Sequence, residues 1–331
     1  MAAEKKTIRA LGLCSGGLDS ILSALVLRKQ GIDVHWITFE TPFFSSAKAR
    51  KASAHTGIPL MVRNITPVYM QMMRSPSVIL GKNMNPCMDC HSLMFRLAGE
   101  IMIEQGFDFL FSGEVLGQRP MSQTRTSLRY VEKHSGYSGS IVRPLSAQRL
   151  PETIPERDGL VDRERLLGLT GRSRKPQLQL AKKFGVTDFP APAGGCLLTD
   201  KIFSRRLEDL FDHQSSYPEK DLNLLKFGRH MRLDPQTKLV VGRTHQDNEQ
   251  MNRCIDPQTD MVLKMDDFPG PLLVIPGGGS EPVVMLAAGI CAGYSKAPNH
   301  TPVTVNVHVG GQCRQVTVLG IPPAENKRFM I

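Results

Sequence analysis

No apolar run in the sequence approaches the 18–20 residues, roughly, that a membrane helix needs. The N-terminal MAAEKKTIRALGLC lacks the apolar stretch and small-residue cleavage site of a secretory leader. A soluble, cytoplasmic protein that spans no membrane is therefore expected. Internal repeats and low-complexity tracts are also missing. The cysteines number seven, an odd count in a long chain without an export signal, which points away from a disulfide framework and towards metal or redox chemistry. With 41% hydrophobic and 22% charged residues over a length of 331, disorder is excluded as the general state, and two domains are expected.

The net charge of +10 is unevenly placed. Residues 1–206 carry 29 Lys and Arg against 17 Asp and Glu, whereas residues 207–331 carry 12 against 14. The basic excess belongs to the first two-thirds, where it would attract a polyanion, nucleic acid being the usual one.

Apolar runs at 8–14, 33–40, 59–65 and 108–113 read as strands. Helical segments at 45–57 and about 91–105, and one directly after SGGLDS, alternate with them, which predicts a parallel α/β sheet. Residues 114–196 read as functional loops, with short helices near 162–168 and 176–184. Beyond about 215 the segments KLVVGR, DMVLKM, GPLLVIP, EPVVMLAAGICAGY and TPVTVNVHV read as a β-rich second domain. The expected domains are 1–215 and 216–331, with a boundary between 205 and 225.

Three stretches can carry chemistry. Ser15-Gly16-Gly17-Leu18-Asp19-Ser20 lies between a strand and a helix. Its glycines allow close approach to an anion, the helix start offers free N–H groups, and Ser15 and Ser20 add hydroxyls. Asp19 would repel phosphate unless Mg²⁺ bridged the two. Without a lysine this is not the GxxxxGK[ST] phosphate loop.

Asn85-Pro86-Cys87-Met88-Asp89-Cys90-His91 brings two thiols to CxxC spacing, suited to a metal or a redox pair. CxxCH is also the c-type haem pattern, but that attachment goes with export. Two cysteines do not complete a metal site, and Cys196, in Ala193-Gly194-Gly195-Cys196, is the best third. Three thiols can hold three irons of a [4Fe–4S] cluster and leave the fourth open. Alternatively Cys87 or Cys90 carries a persulfide that Cys196 resolves, or His91 completes a structural zinc site. Cys14 reads as a buried structural thiol, and Cys254, Cys291 and Cys313 as inert ones.

The third stretch, Ser112 to Gln123, follows a strand end, where parallel sheets bind ligands. There Gly113 would permit close nucleotide approach, Gln118, Ser122 and Gln123 offer neutral donors and acceptors, and Arg119 a phosphate or RNA contact.

Together SGGLDS, NPCMDCH, SGEVLGQRPMSQ, Arg143-Pro144-Leu145 and the late GGC resemble the tRNA-thiolation branch of the pyrophosphate-loop ATP pyrophosphatases over residues 7–206. The third stretch is close to tRNA 4-thiouridine synthetase, and the CxxC with a distant Cys is similar to the 2-thiouridylases and cluster-dependent thiolases. The resemblance implies an adenine nucleotide alpha hydrolase-like fold. It implies that Ser15, Gly16, Gly17, Asp19 and Ser20 bind ATP with Mg²⁺, and from their place at the strand end Gly113 and Gln118 are expected to join the nucleotide site. It further implies that Cys87, Cys90 and Cys196 are the catalytic or cluster cysteines.

The implied activity is ATP-dependent replacement of a uridine carbonyl oxygen by sulfur, with tRNA and either free sulfide or a persulfide carrier as partners. A homodimer could share the tRNA contacts. An adenylating enzyme for a small molecule or cofactor is the alternative. The family's N-terminal RNA-binding module is not expected, since SGGLDS begins at residue 15, and no rhodanese-like domain is evident. Phe227-Gly228-Arg229-His230 and Leu239-Val240-Val241-Gly242-Arg243 resemble an RNA-binding module of ribosome-rescue factors, so the second domain is the candidate RNA binder.

Overall fold

In the computed structural model, which describes residues 7–75, 77–191 and 195–331, the N-terminal apolar run forms β1 (Arg9–Leu13). There follow α1 (Leu18–Arg28), β2 (Asp33–Glu40), α2 (Ala47–Thr56), β3 (Leu60–Asn64), α3 (Thr66–Met73) and α4 (Cys87–Glu104). Next come β4 (Phe109–Ser112), α5 (Arg125–Ser135), β5 (Ile141–Val142), α6 (Ile154–Arg157) and α7 (Lys175–Phe184).

The five strands pair in parallel in the order β3-β2-β1-β4-β5. The winding reverses between β1 and β4, so the loops leaving these two strands face the crevice where such sheets bind ligands. Both faces of the sheet are covered, and its central strands are apolar throughout as a result. Trp36, Phe109 and Phe111 are fully buried with Leu18 and Leu22 of α1. Gly12 of β1 is a packing requirement, because a Cβ there would lie 2.2 Å from the Phe111 ring on β4.

The expected parallel α/β domain is what forms. Three helices of this unit escaped the sequence reading, the single turn α6 and the longer α3 and α5. α3 and α5 show only short apolar spacings, Tyr69 with Met73 and Leu128 with Val131. The helix expected at 91 begins at Cys87, which places the CxxC in its first turn. The helix expected over 162–168 is only a 3₁₀ turn, Arg163–Arg165.

The chain divides into Met1–Leu197 and Leu198–Ile331, earlier than the expected 215/216 step. The reason lies in α8 (Lys201–His213) and α9 (Glu219–Leu224), which pack with the strands after them. The buried Arg206 guanidinium donates to the carbonyls of Leu225 (2.7 Å) and Gly228 (2.9 Å). Asp209 accepts from Arg232 (2.7 Å) and Lys238 (3.1 Å).

The second unit continues as β6 (Arg229–Arg232), β7 (Lys238–Val241), α10 (His245–Asn252), β8 (Met261–Met265), β9 (Leu273–Ile275), α11 (Glu281–Gly293), β10 (Val303–Val309) and β11 (Gln312–Val318). Its antiparallel sheet runs β11-β10-β8-β9-β7-β6. The β-rich expectation holds, with one correction. EPVVMLAAGICAGY is a helix, α11, lying on β8, β10 and β11. Its run is apolar on every side, Met285 on its exposed face included, which hides helical periodicity. Among the described residues no helix is long and apolar enough to cross a membrane.

Small residues let α11 approach its neighbours. A Cβ on Gly293 would lie 1.7 Å from the Ile321 carbonyl oxygen, whereas one on Gly289 would meet the Ile321 side chain at 2.9 Å. Gly293→Ala is expected to destabilise the chain by ~3 kcal/mol or more, and Gly289→Ala by less, because a side chain can yield where backbone cannot. Urea unfolding measures both; equal losses would contradict this packing.

Candidate functional site

The loop between β1 and α1 is held from below. Gly16 adopts φ +70°, and a Cβ there would lie 2.2 Å from the Lys48 backbone at the start of α2. Gly17 caps α1 without a side-chain hydrogen bond, so the first amides of the helix stay open towards the crevice. Ser15 Oγ accepts from the Gly17 amide at 3.3 Å, and Ser20 Oγ donates to the Gly17 carbonyl at 2.8 Å. The Ser20 hydroxyl is therefore an internal brace rather than the outward donor expected. Behind it Cys14 is buried, and burial pushes its thiol up to about 11, which keeps it neutral.

Asp19 is the loop's carboxylate. Burial raises its pKa, while the Gln118 hydrogen bond and the charges of Arg174 and Arg119 pull it back. Gln118 Nε2 donates to Asp19 Oδ2 at 2.7 Å, and Gln118 Oε1 accepts from Gln177 Nε2 at 2.9 Å. Gln118 thus orients Asp19. Gly113 is needed for a different close approach than the one expected, since a Cβ there would lie 2.5 Å from the backbone of Asp19 and Ser20. β4 seats directly on the loop. Arg174 and Gln177, which frame Asp19, carried no motif in the sequence.

Cys87 opens α4 and accepts from Asn85 Nδ2 at 3.3 Å. Asp89 fixes the approach to the helix, accepting from the Ile79 amide (2.7 Å) and the Tyr130 hydroxyl (2.8 Å). Of the late GGC segment, Ala193 and Gly194 lie outside the described residues, whereas Gly195 and Cys196 are within them. Upstream, Asp188 pairs with Lys51 (2.9 Å) and His55 (3.5 Å) on α2. Downstream, the Leu197 amide donates to the Phe43 carbonyl at 3.0 Å.

So held, Cys196 joins the α4 thiols. Burial pushes the Cys90 thiol above its usual range, the charge on Cys196 and then on Cys87 adds to this, and the Tyr69 hydroxyl opposes it. Cys90, Cys196 and Cys87 in turn all act on buried Tyr69. None of the three thiols is in a disulfide. Among the described residues no group of three or more His, Cys, Asp and Glu side chains could hold a metal ion. As folded here, the thiols are neighbours without forming a ready cluster or zinc site.

His91 is engaged elsewhere. Its Nδ1 lies 3.1 Å from Glu114 Oε1, while Glu114 Oε2 accepts from Arg143 Nε (3.0 Å) and Ser112 Oγ (3.1 Å). Arg143 also pairs with Glu132. Burial alone would raise the Glu114 pKa, but Arg143 and then His91 outweigh it and hold the carboxyl at about 2. This bridge from the CxxC helix to β4 was not legible in the sequence, although Glu114 lies inside the SGEVLGQ stretch.

In the second unit the FGRH stretch forms the turn into β6. His230 is buried, and its Nε2 donates to the Phe227 carbonyl at 2.9 Å. Burial, with Lys238 and Arg206 nearby, holds it neutral, which marks a structural role. An open groove of about 400 Å³ lies by α10 and β8, among Asn248, Asn252, Lys264 and Phe268, and none of the expected site residues lines it.

Glu114→Gln is expected to cost ~3 kcal/mol at neutral pH, because it weakens the pairing of a buried guanidinium. A depressed folded pKa gives stability that is full above the unfolded value of about 4.3 and is lost as pH falls towards about 2. The variant should lose that part of the acid limb in unfolding titrations; an unchanged limb would contradict the bridge.

Two family models match the chain. Residues 6–149 match the thiamine biosynthesis protein (ThiI) family. Residues 228–330 match the NFACT protein RNA binding domain. A probable tRNA sulfurtransferase of Finegoldia magna is 31% identical over 155 residues, 44% of this chain and 38% of that protein. A tRNA-specific 2-thiouridylase MnmA of Desulforudis audaxviator is 31% identical over 107 residues, 30% of each chain. The chain thus spans well under half the length of these curated relatives. The crystal structure of a 4-thiouridine synthetase–RNA complex with bound ATP aligns over 54% of this chain and 51% of that one, at 22% identity and a TM-score of 0.34. Residues 6–149 are thus similar to the ThiI family, and residues 228–330 to the NFACT RNA binding domain.

Proposed function

We propose that the chain is an ATP-dependent tRNA sulfurtransferase that adenylates a uridine carbonyl oxygen and replaces it with sulfur, forming 4-thiouridine. The observation that carries this reading is the gathering of Cys87, Cys90 and Cys196 around Tyr69, bridged by His91 and Glu114 to the strand that seats the β1–α1 loop. The ThiI-family match and the relatives named tRNA sulfurtransferase support it.

ATP phosphates suit the open amides of α1, with Arg119 and Arg174 as nearby cations. Mg²⁺ characteristically takes one or two carboxylates plus substrate phosphates, and Asp19 is the carboxylate in place. A uridine carbonyl oxygen is a poor leaving group. Its attack on the α-phosphorus releases pyrophosphate and makes AMP the leaving group instead. A persulfide on Cys90 then attacks the ring carbon through its outer sulfur, and AMP departs with the electron pair. The Cys196 thiolate attacks the inner sulfur, which frees the thiouridine and leaves a Cys90–Cys196 disulfide for an external thiol to reduce. Holding the reactants in one crevice supplies much of the rate. The second unit, as an RNA-binding domain, and the basic residues 1–206 would hold the tRNA backbone.

A [4Fe–4S] cluster on the three thiols would supply an open iron for free sulfide in place of the persulfide. Protein prepared without oxygen separates the two: brown, iron-bearing and active protein favours the cluster, and colourless, active protein the persulfide. With tRNA, ATP and an alkyl persulfide, thiouridine should form and be seen by nucleoside mass spectrometry. Cys90→Ala or Cys196→Ala should abolish it while pyrophosphate release continues, and Asp19→Asn should suppress both. ATP–pyrophosphate exchange that requires a metabolite and ignores tRNA would overturn this reading in favour of a small-molecule substrate.

A further inference from the structure

No motif singles out Tyr69. It lies on α3, wholly buried, with its ring against Phe43 (centroids 5.6 Å) and Phe44 (5.5 Å). The Phe43 carbonyl is the acceptor that holds Leu197, so one loop fixes both the tyrosine ring and the segment bearing Cys196. Among the described residues the Tyr69 hydroxyl meets no nitrogen or oxygen partner. A hydroxyl buried without one costs about 1–3 kcal/mol, and a phenylalanine would fill the same space without that cost. Its partner is sulfur: the hydroxyl hydrogen-bonds the Cys90 side chain, and the charges of Cys196 and Cys87 also act on it.

Sulfur chemistry gives such a donor a use. A persulfide on Cys90 would carry negative charge into a site where burial and the charges on Cys196, Cys87 and Asp89 all oppose an anion. Hydrogen bonds to an ionised acceptor are about twice as strong as neutral ones, so the donor favours a charged persulfide over the neutral thiol. A donor fixed by two aromatic rings also restricts where the outer sulfur can point.

We propose that the Tyr69 hydroxyl is a catalytic hydrogen-bond donor to the outer sulfur of a persulfide on Cys90, holding it for attack on the adenylated base. The proposal rests on the sulfur-transfer reading above and adds a residue to it. Loading needs a small-molecule persulfide: the Cys90 thiolate attacks its outer sulfur, a new S–S bond forms, and the donor leaves as a thiolate with the old bond's electron pair. The tyrosine keeps its proton throughout.

Tyr69→Phe removes the hydroxyl and keeps the ring. The full chain, wild type and variant, is loaded with glutathione persulfide and freed of excess. The bound sulfur is located by alkylation and mass spectrometry. Transfer to tRNA in a single turnover with ATP is then compared with ATP–pyrophosphate exchange and with the urea-unfolding midpoint. The expected result is transfer about 10- to 100-fold slower in the variant, with exchange and midpoint within twofold and a few tenths molar of wild type. Transfer at the wild-type rate overturns the proposal, as does a parallel fall in exchange and midpoint, which would mark a packing role. Wild-type sulfur found on Cys87 and not Cys90 overturns the proposal and leaves sulfur transfer standing. Wild type that forms no thiouridine with any sulfur source overturns the underlying reading as well.

Discussion

The buried Glu114 carboxylate connects the parts of this site that chemistry would need together. It accepts from Ser112 at the end of β4, from Arg143 just after β5 and lies in reach of His91 on α4. A carboxylate in that position is stable only as a paired anion, and the pairing in turn fixes the first turn of α4 against β4. β4 itself cannot move off the β1–α1 loop, because Gly113 is in backbone contact with Asp19 and Ser20. The thiol-bearing helix and the loop are thus referred to a single strand end, at the reversal point of the sheet.

A second tie runs along the other side of the loop. The backbone at the start of α2 leaves no room for a side chain on Gly16, and α2 holds the late cysteine segment through Lys51, His55 and Asp188. A Cβ on Gly195 would lie 3.9 Å from Lys48 Nζ, one residue before Cys196. Cysteines more than a hundred positions apart meet because both of their carriers lean on the elements that frame the loop. Burial, with the charges of Cys196 and Cys87, raises the Cys90 thiol and keeps it protonated beside the Tyr69 hydroxyl.

Much of this was legible in the residues. Strand–helix alternation gave the parallel sheet, and SGGLDS gave the loop at the end of β1, because glycine spacing and a following helix have few other uses. The CxxC and Cys196 were identified by type and scarcity. What escaped shares a physical cause: it depends on contacts between distant segments. Glu114 looks like any loop carboxylate until Arg143 and His91 reach it. Gln118 reads as a nucleotide contact until it is seen orienting Asp19. Tyr69 is one aromatic among methionines in PVYMQMM. In α11, an apolar composition on every side erased the periodicity that distinguishes helix from strand, and the short apolar spacing of α3 and α5 left too little of it to read.

The central claim is the meeting of the three thiols, and disulfide trapping tests it directly. The folded, reduced chain would be exposed to a mild thiol oxidant, digested and mapped by mass spectrometry without reduction. The account predicts rapid formation of a bond between Cys196 and Cys90 or Cys87, ahead of any bond involving Cys254, Cys291 or Cys313. Oxidation that leaves Cys196 unlinked while Cys87 and Cys90 pair only with each other or with the second unit would contradict it.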